Sequence, residues 1–286
     1  RLSPKGGVSV DLGKGLTMYG SVGAAFRAPA VIELACADEA EPCPLPFALG
    51  DDPPIKAVKA TTFEVGGQLI VGPALLAASV YRTNVRDDIV LSASASAPAG
   101  STIDGFFSNL DKTRREGVEL SAQVFLNGGH SLYANYAYTK ATFQSKAEIF
   151  SIREDFGGTN AVEPGDEMPL VPKHQVKFGG SFHLPSGFFT GADGRFIGAQ
   201  FLRGDEANET PKLDSYFVAD ARVGWRRHGW EITAVANNLF QNKYATFGTF
   251  NVNQGGGGVL ERFLTPGFRR VFRLIVRRNF GGGDQD

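Results

Sequence analysis

The chain has 286 residues and a formal net charge of −1, so it lacks the cationic excess of a protein held to nucleic acid by bulk charge. It is 42% hydrophobic, yet no uninterrupted run of about 18 apolar residues occurs, which excludes a membrane-crossing helix. The opening Arg1-Leu2-Ser3-Pro4-Lys5 has none of the features of a secretory signal and reads as mid-protein, with any signal expected upstream.

From the first residues the hydrophobic period is two. Val8, Val10 and Leu12 alternate with Ser9 and Asp11, Gly13-Lys14-Gly15 turns the chain, and Leu16 to Phe26 runs back. Residues 28–54 are acidic and rich in proline, which no central strand accepts, so they form a long loop. Cys36 and Cys43 lie in it, and their closeness predicts a disulfide-closed ring in an oxidising compartment; two free thiols are the alternative. A ring this short contributes only about 2–3 kcal/mol on the chain-entropy account, enough to shape a loop but not to hold a fold.

The pattern then repeats. Phe63, Val65, Gly67 and Leu69 alternate with Glu64, Gly66 and Gln68, a turn falls at 71–73, and Ala74 to Leu91 returns before a small polar loop at 92–105. Val118 to Val124 and Leu132 to Tyr138 flank a turn at 127–129, and a charged loop spans 143–171. Val176, Phe178, Gly180, Phe182 and Leu184 alternate with Gln175, Lys177, Gly179, Ser181 and His183, and Phe188, Ala192 and Phe196 follow the turn at 185–187. After a loop at 200–213, Phe217 to Trp225 and Trp230 to Ala236 flank a turn at 227–229. A Gly-rich loop, 243–266, leads to the last strand. There Phe272, Leu274 and Val276 share an apolar face, predicted to meet lipid, and Arg273 and Arg277 share the opposite one, predicted to face a wet lumen.

About eleven strands result, and their short and long connections strictly alternate, as in an outer-membrane barrel with short periplasmic turns and long extracellular loops. A soluble sandwich has no reason to keep every long connection at one end. Aromatic residues recur beside the short turns, Trp225 and Trp230 at one and Phe182 and Phe188 at another, like the girdle of a barrel. The predicted fold is all-β: an antiparallel, up-and-down transmembrane β-barrel.

Four segments resemble the C-terminal part of the barrel of a TonB-dependent outer-membrane receptor. They are Tyr19 to Pro29 with Glu33 and Leu34, Asn109 with Arg114 to Glu119, Val235 to Phe240 with Lys243 and Tyr244, and Pro266-Gly267 with Arg269 to Phe280. The resemblance implies a 22-stranded barrel around a plug, of which residues 1–280 would be the C-terminal half and 281–286 a flexible tail. The family's plug and TonB-binding box have no counterpart in these residues and are expected further upstream. It also implies location in the bacterial outer membrane, contact with the bilayer and the TonB complex, and uptake of a scarce ligand such as a siderophore or cobalamin.

Phe47, Arg153, Phe156, Arg203, Phe247 and Phe250 lie in the predicted long loops and are the candidates for ligand contact, with loop-on-loop packing as the plainer role. No cofactor is expected. His130, His174, His183 and His228 lack zinc-ligand spacing, so no metal centre is expected. A barrel enzyme needs a Ser/His or Asp/His set near the loop ends, whereas His130 and His228 fall at short turns, so no catalytic residue is assigned. A passive porin would not be expected to carry the four segments. Asp193 with Arg195, and Asp220 with Arg222, read as wall charges that pair with each other or with a plug.

Overall fold

The computed structural model describes residues 2–35, 37, 55–93, 105–151, 159–253, 255 and 257–280. Its main body is an antiparallel sheet of eleven strands in the order β1(Lys5–Asp11), β2(Leu16–Arg27), β3(Val58–Val71), β4(Ala74–Ala93), β5(Gly105–Leu126), β6(His130–Phe143), β9(His174–His183), β10(Phe188–Ile197), β11(Tyr216–Arg227), β12(Trp230–Asn237) and β15(Val271–Arg278). Every neighbour pair on this path is antiparallel and consecutive along the wall, the up-and-down arrangement that alternate short and long connections allow.

Register carries the alternation from strand to strand. One row runs Val8, Gly20, Val65, Val80, Val118 and Tyr138, each opposite the next. The row beside it on the other face runs Ser9, Tyr19, Gly66, Ser79, Glu119 and Ala137. One face of the wall is therefore apolar and the other polar. The apolar side chains are open rather than packed: Val65 is 55% exposed, Val80 52% and Leu120 46%. A soluble sandwich would cover them with a second sheet; here they form the outer surface of a barrel wall, where lipid is the solvent.

The polar face is closed by large side chains laid over glycines. Tyr19 crosses Gly66, where an added Cβ would lie 2.7 Å from the Tyr19 hydroxyl oxygen, and Tyr133 crosses Gly179, where a Cβ would lie 2.9 Å from its ring. Each tyrosine also donates to a carboxylate on the same face, Tyr19 Oη to Glu64 Oε1 at 2.5 Å and Tyr133 Oη to Asp193 Oδ1 at 2.7 Å.

The long connections hold more structure than the sequence predicts. The 28–54 segment opens with a short helix, α1(Val31–Ala35), where Glu33 accepts from Arg27 at 2.7 and 3.0 Å and from the amide of Ala30 at 2.6 Å. The expected loop 143–171 contains β7(Ala147–Phe150) and β8(Thr159–Val162), paired with each other and joined to β4 through Ser92 opposite Ile149. The expected loop 243–266 contains a hairpin, β13(Ala245–Asn253) and β14(Val259–Pro266). These strands are short; Ile149 of β7 and Val162 of β8 are buried, whereas Val259, Phe263 and Leu264 of β14 stay exposed. Strands β4 and β5 also run far past the membrane band. Around their ends Leu110, Phe143, Ile149 and Val162 are buried as a small core at the long-connection end.

Candidate functional site at the mouth of the wall

The candidate site is built at the long-connection end, where the 198–215 segment is held from two sides. Its own shape comes from Asp205, which is fully buried. Asp205 Oδ1 accepts from the amide of Glu209 at 2.9 Å, and Oδ2 accepts from the amide and hydroxyl of Thr210 at 3.0 and 2.6 Å. On one side the segment meets the β13–β14 hairpin. The amide of Arg203 donates to Gly248 O, and the amide of Phe250 donates to Arg203 O, both at 3.1 Å. Gly248 lies against the buried Leu202, so close that a Cβ there would sit 2.8 Å from the leucine side chain.

On the other side it meets Ser151, at the end of β7, and Asn160 of β8. Ser151 Oγ and Asn160 Nδ2 both donate to Gly204 O, at 3.0 and 2.9 Å, and Asn160 Nδ2 also donates to Glu206 Oε2 at 3.0 Å. Loss of water around the Glu206 carboxyl raises its pKa, and the hydrogen bonds it accepts offset only part of that. Asn208 is a second tie: its Oδ1 accepts from the amide of Glu167, and its Nδ2 donates to Glu167 O at 2.9 Å. Glu167 is ion-paired to Lys173 at 2.6 Å and to Lys212 at 3.1 Å. Burial pushes its pKa up, but the two lysines outweigh this and hold it below the usual carboxylate range.

Of the predicted contact residues, the structure brings Arg203, Phe247 and Phe250 into this cluster. Arg203 is exposed, Phe247 is 36% exposed and Phe250 is half-buried beside Gly204. Phe47, Arg153 and Phe156 lie outside the described residues, as do Cys36, Cys43 and the tail 281–286.

Below the cluster, on the polar face, lies a pocket of about 520 Å³ between β2 and β10 and a second of about 330 Å³ toward β15. Arg195, Asp220, Asn237, Tyr244, Arg269 and Arg273 line the second. Arg273 donates to Asn237 Oδ1 at 2.8 Å, Arg195 donates to the Tyr244 hydroxyl at 3.3 Å, and Asp220 Oδ1 accepts from the amide of Asn238 at 2.8 Å. Tyr244 stacks on Tyr216 with ring centroids 4.4 Å apart and lies across Gly267. The Nε of Arg195 is buried and meets no acceptor among the described residues. This pocket thus presents three arginines against one carboxylate, a setting that favours an anion.

Sequence reasoning did not single out Tyr244 or Arg269 as site residues, and it paired the wall charges differently. Asp193 meets Arg222 on the neighbouring strand at 3.5 Å, while Arg195 turns to Tyr244. Arg222 stands opposite Gly191 and diagonal to Asp193, and its side chain lies over that glycine within reach of the carboxylate.

The last strand carries its arginines and its apolar residues on different faces over its middle. Arg273 and Arg277 are on the polar face, where Arg277 approaches Glu231 at 3.6 Å. Phe272, Leu274 and Val276 are on the apolar face, 68%, 70% and 56% exposed.

Comparison with known proteins matches this geometry. The family described as TonB dependent receptor-like, beta-barrel, matches residues 1–239. The catecholate siderophore receptor Fiu of Escherichia coli K12 is 25% identical over 229 residues, 79% of this chain and 26% of that protein. The chain therefore spans about a quarter of the length of the curated relatives it matches. Among solved structures, the siderophore receptor PiuA from Acinetobacter baumannii superposes with a TM-score of 0.71 at 18% identity, over 96% of this chain and 35% of that one. The ferric yersiniabactin uptake receptor FyuA from Yersinia pestis gives 0.68 at 18% identity, over 97% and 37%. Both likenesses concern the fold. An eleven-strand antiparallel wall with an apolar outer face, together with a family match over most of its length, identifies this chain as a member of the TonB-dependent receptor β-barrel family of the bacterial outer membrane.

Proposed function

We propose that this wall belongs to a receptor that takes up an anionic metal chelate of the siderophore type, driven by TonB through a plug and TonB box carried elsewhere in the polypeptide. The observation that carries the reading is the pocket of Arg195, Arg269 and Arg273 on the polar face, just below the Arg203–Phe250 cluster. A ferric catecholate is large, flat in its ligand rings and negatively charged. It suits aromatic and cationic contacts at a mouth followed by an arginine-lined descent. The names of the relatives, which include catecholate and other siderophore receptors, support the same ligand class.

The test is binding of a ferric catecholate to the intact receptor carrying this wall. A hydrogen bond to a charged group contributes about 1.5–3 kcal/mol, so replacing both Arg195 and Arg273 by Ala is expected to weaken binding by roughly tenfold or more. Arg277→Ala, at the short-turn end of the same face, is expected to leave affinity unchanged. Equal affinity of the double variant and the wild type would sink this reading.

We also propose that Cys36 and Cys43 are bonded in the extracellular connection after β2, on the ground of their spacing. Peptide mapping without reductant should return one cross-linked peptide; two separately alkylated cysteines would refute it.

A further inference from the structure

The chain's one Asn-Gly step lies at the turn between β5 and β6. Asn127, Gly128 and Gly129 form a single turn of 3₁₀ helix there, and all three are exposed. Gly128 has φ 80° and ψ 13°, and Gly129 has φ 77°, left-handed backbone that a residue with a Cβ rarely adopts. The turn therefore needs glycine directly after the asparagine, and no Cβ shields the backbone nitrogen that follows Asn127.

Among the described residues, no hydrogen bond reaches the side-chain amide of Asn127. Other asparagines are held. Asn109 accepts from the amide of Lys56 at 2.6 Å and donates to its carbonyl at 2.9 Å, and Asn238 donates to the carbonyls of Asn242 and Phe268. The Asp193-Gly194 step has the same following glycine, but it lies in mid-strand. There Asp193 accepts from Tyr133 at 2.7 Å, and Gly194 is paired between Phe178 and Ala219.

His130 stands over the turn. Its Nε2 lies 3.3 Å from where a Cβ on Gly128 would be, and its Nδ1 accepts from the amide of His183 at 3.0 Å. An accepting Nδ1 puts the proton of the neutral ring on Nε2. The ring thus offers the Asn-Gly step a donor, not a base.

We infer that Asn127 is a self-modifying site, whose side-chain amide is lost through a ring closed by the backbone nitrogen of Gly128. The ring closes when the turn opens, a local fluctuation that exposure and two adjoining glycines permit. The Gly128 nitrogen bonds to Asn127 Cγ and gives its proton to water. The Cγ–Nδ2 bond breaks, and the nitrogen leaves as ammonia with a proton that His130 Nε2 donates and then recovers from water. A second water opens the five-membered imide. Attack at Cγ gives aspartate, and attack at the main-chain carbonyl of residue 127 gives isoaspartate, with the chain running through the side-chain carbon. One water is consumed and one ammonia released, with no oxidant or cofactor. Both products place a carboxylate beside His130. Isoaspartate also adds a carbon to a turn whose length is set by Leu126 standing opposite His130, so the last pairs of β5 and β6 loosen.

The test ages the intact receptor in detergent at physiological pH and temperature. Peptide mapping reads conversion at each asparagine, and an isoaspartyl methyltransferase with labelled methyl donor counts isoaspartate. Asn127 is expected to convert first and furthest, with isoaspartate exceeding aspartate, and most of the methyl label is expected to disappear in Asn127→Gln. His130→Phe is expected to slow conversion severalfold in the folded receptor and to change nothing in the urea-unfolded chain. Heat-modifiable gel migration verifies that each variant is folded. An intact Asn127 amide after other asparagines have converted would overturn the inference. Undiminished label in the folded Asn127→Gln receptor would do the same. Equal rates in the folded wild type and His130→Phe would overturn the part given to His130.

Discussion

At the scale of single residues, the last strand shows how one position in two sets the solvent a side chain meets. Leu274 pairs across to Ala234 on the apolar face, and Arg273 pairs across to Val235 on the polar one. A charge on the lipid face near the bilayer midplane costs roughly 2–4 kcal/mol, and the same charge in a wet lumen costs little. Leu274→Arg is therefore expected to reduce the folded, membrane-inserted fraction strongly, and Arg273→Leu only slightly. Heat-modifiable migration of the two variants compares them directly, and equal tolerance would overturn the assignment of faces. The parity of these residues could be read from the sequence. The partners of Arg273 and Arg195 could not, because Asn237 and Tyr244 reach them only through strand pairing and a folded-back connection.

At the scale of elements, the mouth depends on segments that hold one another. Glu167 ties the stretch after β8 to the 198–215 segment through Lys212, and to the start of β9 through Lys173. Its folded pKa is depressed, so its stabilisation is present above the unfolded carboxylate pKa of about 4.3 and is lost as pH falls through the lower folded value. Hydrogen exchange at the Asn208 and Thr210 amides, corrected for intrinsic rates, should show protection falling on acidification below about pH 4. In Glu167→Gln, that part of the pH dependence should vanish and protection at neutral pH should drop by an amount on the order of 1 kcal/mol. A wild-type profile in the variant would show that Glu167 is not the tie. The sequence marks these stretches only as polar connections. Their short strands pair with distant partners, and Gly248 accepts Leu202 only because it has no side chain.

At the scale of the whole molecule, the wall has two edges. Among the described residues β1 pairs only with β2, and β15 only with β12. Unpaired backbone amides and carbonyls in hydrocarbon cost several kcal/mol each, so neither edge is stable there without further strands. These 286 residues expressed alone are expected to aggregate or to form irregular pores, and to give no heat-modifiable monomer. Uptake restored to a receptor-deficient cell by this chain alone would contradict that. Closing eleven strands on themselves would require strand number, tilt and shear to change together.

The sequence by itself determined the class of the fold, about eleven wall strands, the alternation along them and which connections are long. All of these follow from a period of two and from turn chemistry, which are local. The tertiary structure decided which residues become neighbours: the arginine pocket on the polar face and the hairpin docked on Arg203. Those depend on inter-strand register, where a shift of one residue changes every partner, and on connections whose few apolar residues find cover far away in the chain.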